Sequence, residues 1–384
     1  MATITEAEHL ITVQTSARGE GNVIPEKYLN GLDVEWKEMW TNHGKNMEGA
    51  HLVTIEEFRR CPERYSFTYP TWTGPEVHHL QDYQVPVSNP EGLITCRVYT
   101  PAGPGPFPVH LNFHGGGWVL GGLQSEAAWC RSICNGSSIV VIDVDYRLAP
   151  EHQYPIALYD CWAAVRWAHT NAQSLNVDPN AISIGGLSSG GLITAVLAHF
   201  ARDCFPPLEL KLQLMVVPAT DMRYVPLAIP NAEPLTTESC PYPSAIFCAD
   251  LPWSPLARES WFLNYYIGTD EEVRSKVLSD WRMTPVLSPS MKGLAPAHIV
   301  TAEFDVERDE AEYYGQLLRE AGNQVTMKSE MVQLVLVMLE EEEEEEDDDD
   351  VRTKSTTLDF SSTPQPQAHS LGPALQPLEK ESKS

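Results

Sequence analysis

Ile182-Ser183-Ile184-Gly185-Gly186-Leu187-Ser188-Ser189-Gly190-Gly191 is the stretch whose reading decides the fold. Ala181 to Ile184 is a short β-branched run and reads as a buried strand. Leu192 to Ala201 has no Gly or Pro and reads as a helix. Between them stands G-x-S-x-G, Gly186 to Gly190. A strand that turns sharply into a helix strains its central residue, and only small neighbours let the turn close. The Ser188 hydroxyl is then lifted clear of the sheet edge, above a helix N-terminus. The same letters also suit a plain glycine-rich turn, so the flanking chain has to decide between them.

Outward from the turn, the pattern alternates. Val109 to Phe113, Ser138 to Val144 and Leu210 to Val217 are near-continuous apolar runs, as expected of strands covered on both faces. Helical segments at Glu126 to Cys134 and Ile156 to Thr170 separate them. Gln81 to Val87 and Leu93 to Tyr99 flank a turn, and His298 to Ala302 and Gln324 to Ser329 supply later strands around a helix at Glu307 to Ala321. This alternation predicts an α/β class: a mostly parallel sheet flanked by helices. Residues 1–80 lack strands and read as an N-terminal helical cap, with one helix over Leu29 to Trp40 and another within Met47 to Arg60. Residues 81–330 form the core. Within it, 219–265 opens on a stretch rich in Pro, Ser and aromatics and reads as an insertion or lid, with a helix from Leu256 to Ile267. Residues 331–384 read as an acidic, low-complexity, disordered tail.

The formal charge of −27 is concentrated: Glu340 to Asp350 is an unbroken block of 11 acids, without which the chain still carries −16. Such a surface excludes nucleic acid as a partner. Met1 to Ser16 has no apolar signal core, and Val332 to Leu339 is too short to span a bilayer. Eight scattered cysteines lack paired metal-site spacing and read as reduced thiols, which places the chain in the cytoplasm. Oligomeric state is not legible. The acidic tail leaves open a role as an interaction protein.

Three further motifs carry chemistry. His114-Gly115-Gly116-Gly117-Trp118 follows a buried strand, and its glycines let backbone N–H groups converge where an acyl-transfer intermediate develops negative charge. Asp145-Tyr146-Arg147-Leu148-Ala149-Pro150-Glu151-His152 comes next, and Glu303-Phe304-Asp305-Val306-Glu307-Arg308-Asp309-Glu310 opens the last long helix. With the serine turn, these resemble, in order, the hormone-sensitive lipase family of α/β-hydrolases over about Gln81 to Lys328. The resemblance implies an α/β-hydrolase fold and carboxylic-ester hydrolysis through an acyl-enzyme, with a small-molecule ester as substrate and no metal or cofactor. It implies Ser188 as nucleophile, Gly115, Gly116, Gly117 and the Ser189 N–H as oxyanion hole, and Asp305 as the acid that orients a base. Glu303 and Asp309 are rivals to Asp305. Arg147 and Glu151 are expected to brace the serine turn, and Trp118, Trp253, Trp261 and Phe262 to wall the pocket. Leu187 departs from the family, where Asp is frequent.

A second departure matters more. In this fold the order is Ser, acid, His, and the only histidine after Asp305 is His369, within the Gln/Pro-rich tail. His298 precedes Asp305 and reads as structural. Loss of the base in a serine hydrolase costs about 10⁶ in kcat. The expectation is therefore an impaired ester hydrolase or, alternatively, an inactive small-molecule-binding relative of the same fold.

Overall fold

The computed structural model describes residues 22–65, 74–227 and 233–330. The tail at 331–384, including His369, lies outside the described residues, as do 1–21.

Every anticipated strand forms, and the sheet runs β1 (His79–Val87), β2 (Gly92–Thr100), β4 (Val140–Asp145), β3 (Phe107–Phe113), β5 (Val177–Leu187), β6 (Leu210–Val216), β7 (Ala297–Ala302), β8 (Val325–Glu330). β1 pairs antiparallel with β2, and β2 with β4; every later neighbour is parallel. The central strands bury side chains on both faces, which is why their sequences lack alternation.

Before the sheet come α1 (Glu26–Leu29), α2 (Val34–Asn42) and α3 (Ile55–Arg60). The single helix expected over Leu29 to Trp40 is broken because Asp33 caps α2, its carboxylate accepting from the Glu35 and Trp36 N–H groups. Thr54 caps α3 in the same way, so that helix begins later than Met47. Within the sheet region follow α4 (Ala127–Ser137), α5 (Ile156–Thr170), α6 (Ala172–Leu175) and α7 (Ser189–Asp203). α5 and α7 pack on each other, α5 against β1 and β5 and α7 against β5 and β6; α4 covers β2 and β4. α7 is buried along nearly its whole length.

The 219–265 stretch is less irregular than its composition suggests. It holds a 3₁₀ turn at Met222–Tyr224 and α8 (Pro243–Phe247) ahead of the expected helix, α9 (Leu256–Ile267). α10 (Glu271–Leu278), which the sequence reading did not anticipate, and α11 (Arg308–Glu320) complete the described helices. The N-terminal helices join this stretch. Tyr28 Oη donates to the Phe247 carbonyl at 2.6 Å and Trp261 Nε1 to the Val53 carbonyl at 2.8 Å. Trp253 meets Trp36 and Trp40 edge-on, with centroids 5.3 and 5.4 Å apart. No described helix is long and apolar enough to cross a membrane.

Candidate active site

β5 ends at Leu187 and α7 starts at Ser189, so a single residue makes the turn. Ser188 sits at φ 53°, ψ −115°, a conformation that costs a non-glycine residue about 1–3 kcal/mol. Its backbone is pinned on both sides: its N–H donates to the Val216 carbonyl at 2.9 Å, and its carbonyl accepts from Leu192 N–H at 3.1 Å. Gly190 is required here, since a Cβ would collide with the Phe113 carbonyl. The half-buried Ser188 side chain has no hydrogen-bond partner among the described residues.

β3 lies beside β5, with Phe113 opposite Gly186, so the loop leaving β3 is delivered to the serine turn. A Cβ on Gly115 would stand 2.8 Å from Leu187 Cδ2. The glycine loop and the turn are therefore in contact, one residue from Ser188. The small Gly115 makes that approach possible, and Leu187 fills the space against it.

The amide accounting corrects one expectation. Gly115 N–H donates to Glu126 Oε1 at 2.7 Å, deep in the protein, so it is not offered to a ligand. Gly116 and Gly117 N–H have no partner among the described residues. Ser189 N–H belongs to the first turn of α7, where amides have no acceptor within the helix. His114 braces the loop: its Nδ1–H donates to the Gly115 carbonyl at 2.8 Å and its ring stacks on Tyr146 at 4.2 Å. Burial pushes this imidazole down to about 4, so it is neutral. Tyr146 Oη donates to the His114 carbonyl at 2.8 Å.

Asp305 stands three residues beyond β7, on the same sheet edge as Ser188, with β6 between their strands. Its Oδ1 accepts from Glu307 N–H at 2.9 Å. Loss of hydration raises its carboxyl to about 6, against the pull of that N–H and of Arg308. Burial likewise raises Glu259, Glu307 and Glu310, so Asp305 belongs to an acidic group that sequence reading missed. Of the rivals, Asp309 is taken up elsewhere: its Oδ2 accepts from Ser244 N–H at 2.7 Å, at the start of α8. No described histidine hydrogen-bonds to Asp305, and His298 instead meets Thr326 Oγ1 across β7 and β8 at 2.6 Å.

The brace expected of Arg147 and Glu151 exists but points elsewhere. Arg147 grips the fully buried Asp160 of α5 with Nε and Nη2 at 2.8 and 2.7 Å. Glu151 pairs with Arg59 of α3 at 2.7 Å. Among the aromatics, Phe262 lies against Gly117, whereas Trp118 stacks on Tyr266 at 4.6 Å within the core. Trp253 and Trp261 are engaged with the N-terminal helices. Arg258, unremarked in the sequence, sets its guanidinium 5.4 Å from the Phe262 ring centroid. Among the described residues no group of His, Cys, Asp and Glu is arranged to hold a metal.

Comparison with known proteins gives the family. The model of the alpha/beta hydrolase fold matches residues 110–333, more than half of the chain, and the chain belongs to that family. It is similar to the carboxylic ester hydrolase LipN of Mycobacterium tuberculosis, 36% identical over 264 residues, which are 66% of this chain and 63% of LipN. The match thus spans less than two thirds of that relative. Carboxylesterase NlhH of the same organism is 39% identical over 243 residues, 62% of this chain and 69% of its own. Among solved structures, the Pyrobaculum calidifontis esterase superposes with TM-score 0.66 at 27% identity, covering 78% of this chain and 89% of that one.

Proposed function

We propose that this chain is a carboxylic-ester hydrolase of the serine type. Ser188 Oγ attacks the acyl carbon as its O–H proton is given up to the departing alkoxide, and the oxygen that gains negative charge is met by the Gly116, Gly117 and Ser189 N–H groups. The alcohol leaves with that proton, and water then splits the acyl–Oγ bond, its hydroxyl going to the acyl carbon and its proton back to Ser188 Oγ. The observation that carries this is the contact of the glycine loop with the strained turn, Gly115 against Leu187 beside a left-handed Ser188. Asp305, three residues beyond β7, is the acid that orients a base. The substrate is a small ester, held between the central sheet's edge and a cover made from residues 1–80 and the 219–265 insertion. Residues 81–330 form the core, and 331–384 differ from it in composition as an acidic, low-complexity segment. All eight cysteines are unpaired and six are buried, which suits the cytoplasm.

Turnover of p-nitrophenyl esters by the full chain, set against Ser188→Ala, tests this reading; equal rates from the two would reject it. A second reading, ligand binding without turnover, is favoured by one observation. Asp305 meets a backbone amide rather than an imidazole among the described residues. A thermal shift caused by an ester that is not consumed would select it.

A further inference from the structure

Beneath the glycine loop lies a polar cluster with almost no access to water: Glu126, Asn112 and Asp143 are 5%, 1% and 0% exposed. Glu126 Oε1 accepts from Gly115 N–H at 2.7 Å and Oε2 from Asn112 Nδ2 at 2.9 Å. The same Asn112 nitrogen donates to Asp143 Oδ1 at 3.1 Å. One side-chain amide therefore serves two carboxyl groups, and no described cation lies within ion-pair distance of either. Two acids so placed cannot both ionise cheaply, and the pair retains a proton well above the ordinary carboxyl range. Burial raises Glu126 to about 7 and Asp143 well above its usual value.

The cluster is coupled to the loop through peptide geometry. Gly115 is held at both ends, its N–H by Glu126 and its carbonyl by His114 Nδ1. In a trans peptide the N–H of the next residue points opposite to that carbonyl, so fixing Gly115 fixes the direction of Gly116 N–H. A bond from N–H to a carboxylate is about twice as strong as one to a neutral acid.

We propose that Glu126 is a positioning residue: its ionised carboxylate clamps Gly115 and thereby aims the Gly116 and Gly117 N–H groups, and its protonation loosens the loop. The consequence for rate rests on the ester-hydrolase reading; the clamp itself does not. The groups facing Glu126 are Asp143 from β4, Cys130 one turn along α4, and Tyr146 just after β4. Asp143 in turn faces Asp145 and Arg97.

The clamp is tested on the full chain labelled with ¹⁵N-glycine, following the Gly115 amide from pH 5 to 9, a window set around the Glu126 value of about 7. The expected result is one titration with its midpoint at about 7, the proton moving downfield as pH rises, and loss of that titration in Glu126→Gln. A flat Gly115 signal, or one that titrates unchanged in Glu126→Gln, overturns the clamp. Asp143→Asn leaves Glu126 in place and serves if the first variant folds poorly. It should keep the Gly115 titration, because Asp143, raised further by the charge on Glu126, is already neutral where Glu126 ionises; loss of the titration in this variant would assign it to Asp143 and overturn the clamp. In the ester assay, Glu126→Gln should lower kcat by about 10–100-fold with KM little changed and remove the step in the pH profile. Unaltered kcat and profile overturn the positioning role. If the unmodified chain shows no turnover, the ester-hydrolase reading fails while the Gly115 titration still decides the clamp.

Discussion

The ring of Phe262 occupies the space a side chain on Gly117 would need: a Cβ built there overlaps the ring, and Gly117 already sits at φ +59°. α9 thus presses on the glycine loop from outside while Leu187 meets it from within. Gly117→Ala is expected to lower ester turnover by at least about 10²-fold, the loss typical of one oxyanion donor. Adding Phe262→Ala should recover part of the lost melting temperature but not the rate, because the left-handed backbone is still strained. Kinetics and calorimetry on the two variants check this.

Ser188 carries a different kind of strain. At φ 53° it pays for its exposure with conformational energy, which glycine would not incur. Ser188→Gly is expected to abolish turnover yet raise stability by about 1 kcal/mol, after the greater freedom of glycine in the unfolded chain is set against the relief. Urea unfolding measures it, and a destabilised variant would contradict the strain account.

For Asp305 the sign of the pH dependence follows from a carboxyl raised from 3.8 to about 6. The folded form then holds its proton more tightly than the unfolded form, so this group's contribution to stability falls as pH rises across that window and is constant above it. Asp305→Asn keeps an acceptor for Glu307 N–H but cannot ionise. Its stability relative to the unmodified chain should therefore improve from pH 4 to about 7, by on the order of 2 kcal/mol. Unfolding curves at several pH values test the direction.

Two ion pairs of the Asp145 to Pro155 region should behave unequally. Asp160 is fully buried under Arg147, and Asp160→Ala leaves a guanidinium without its partner, at an expected cost of about 3–5 kcal/mol. Arg59 and Glu151 are 37% and 57% exposed, and Glu151→Ala should cost at most about 1 kcal/mol. Comparable losses in denaturant titrations would refute this ranking.

The sheet was legible because its central strands are apolar on both faces and its turns carry Gly and Pro; the serine turn and the glycine loop were legible because both need residues without side chains. What escaped were interactions set by the third dimension. Glu126, at the head of α4, looks like an ordinary acid favouring a helix start, and nothing in its neighbourhood of sequence points back to Gly115 or across to Asp143. Trp253 and Trp261 looked like pocket walls, yet their partners Trp36, Trp40 and Val53 lie about 200 residues earlier in the chain. Arg147 was expected to brace the serine turn; it holds Asp160 of α5 instead, a partner with no local signature.

β8 runs parallel to β7, with Glu330 opposite Ala302, so the backbone leaves the sheet on the rim where Asp305 stands. That exit makes residue 330 a natural splice junction. A segment joined there would start beside the rim that carries Asp305, with no strand rethreaded.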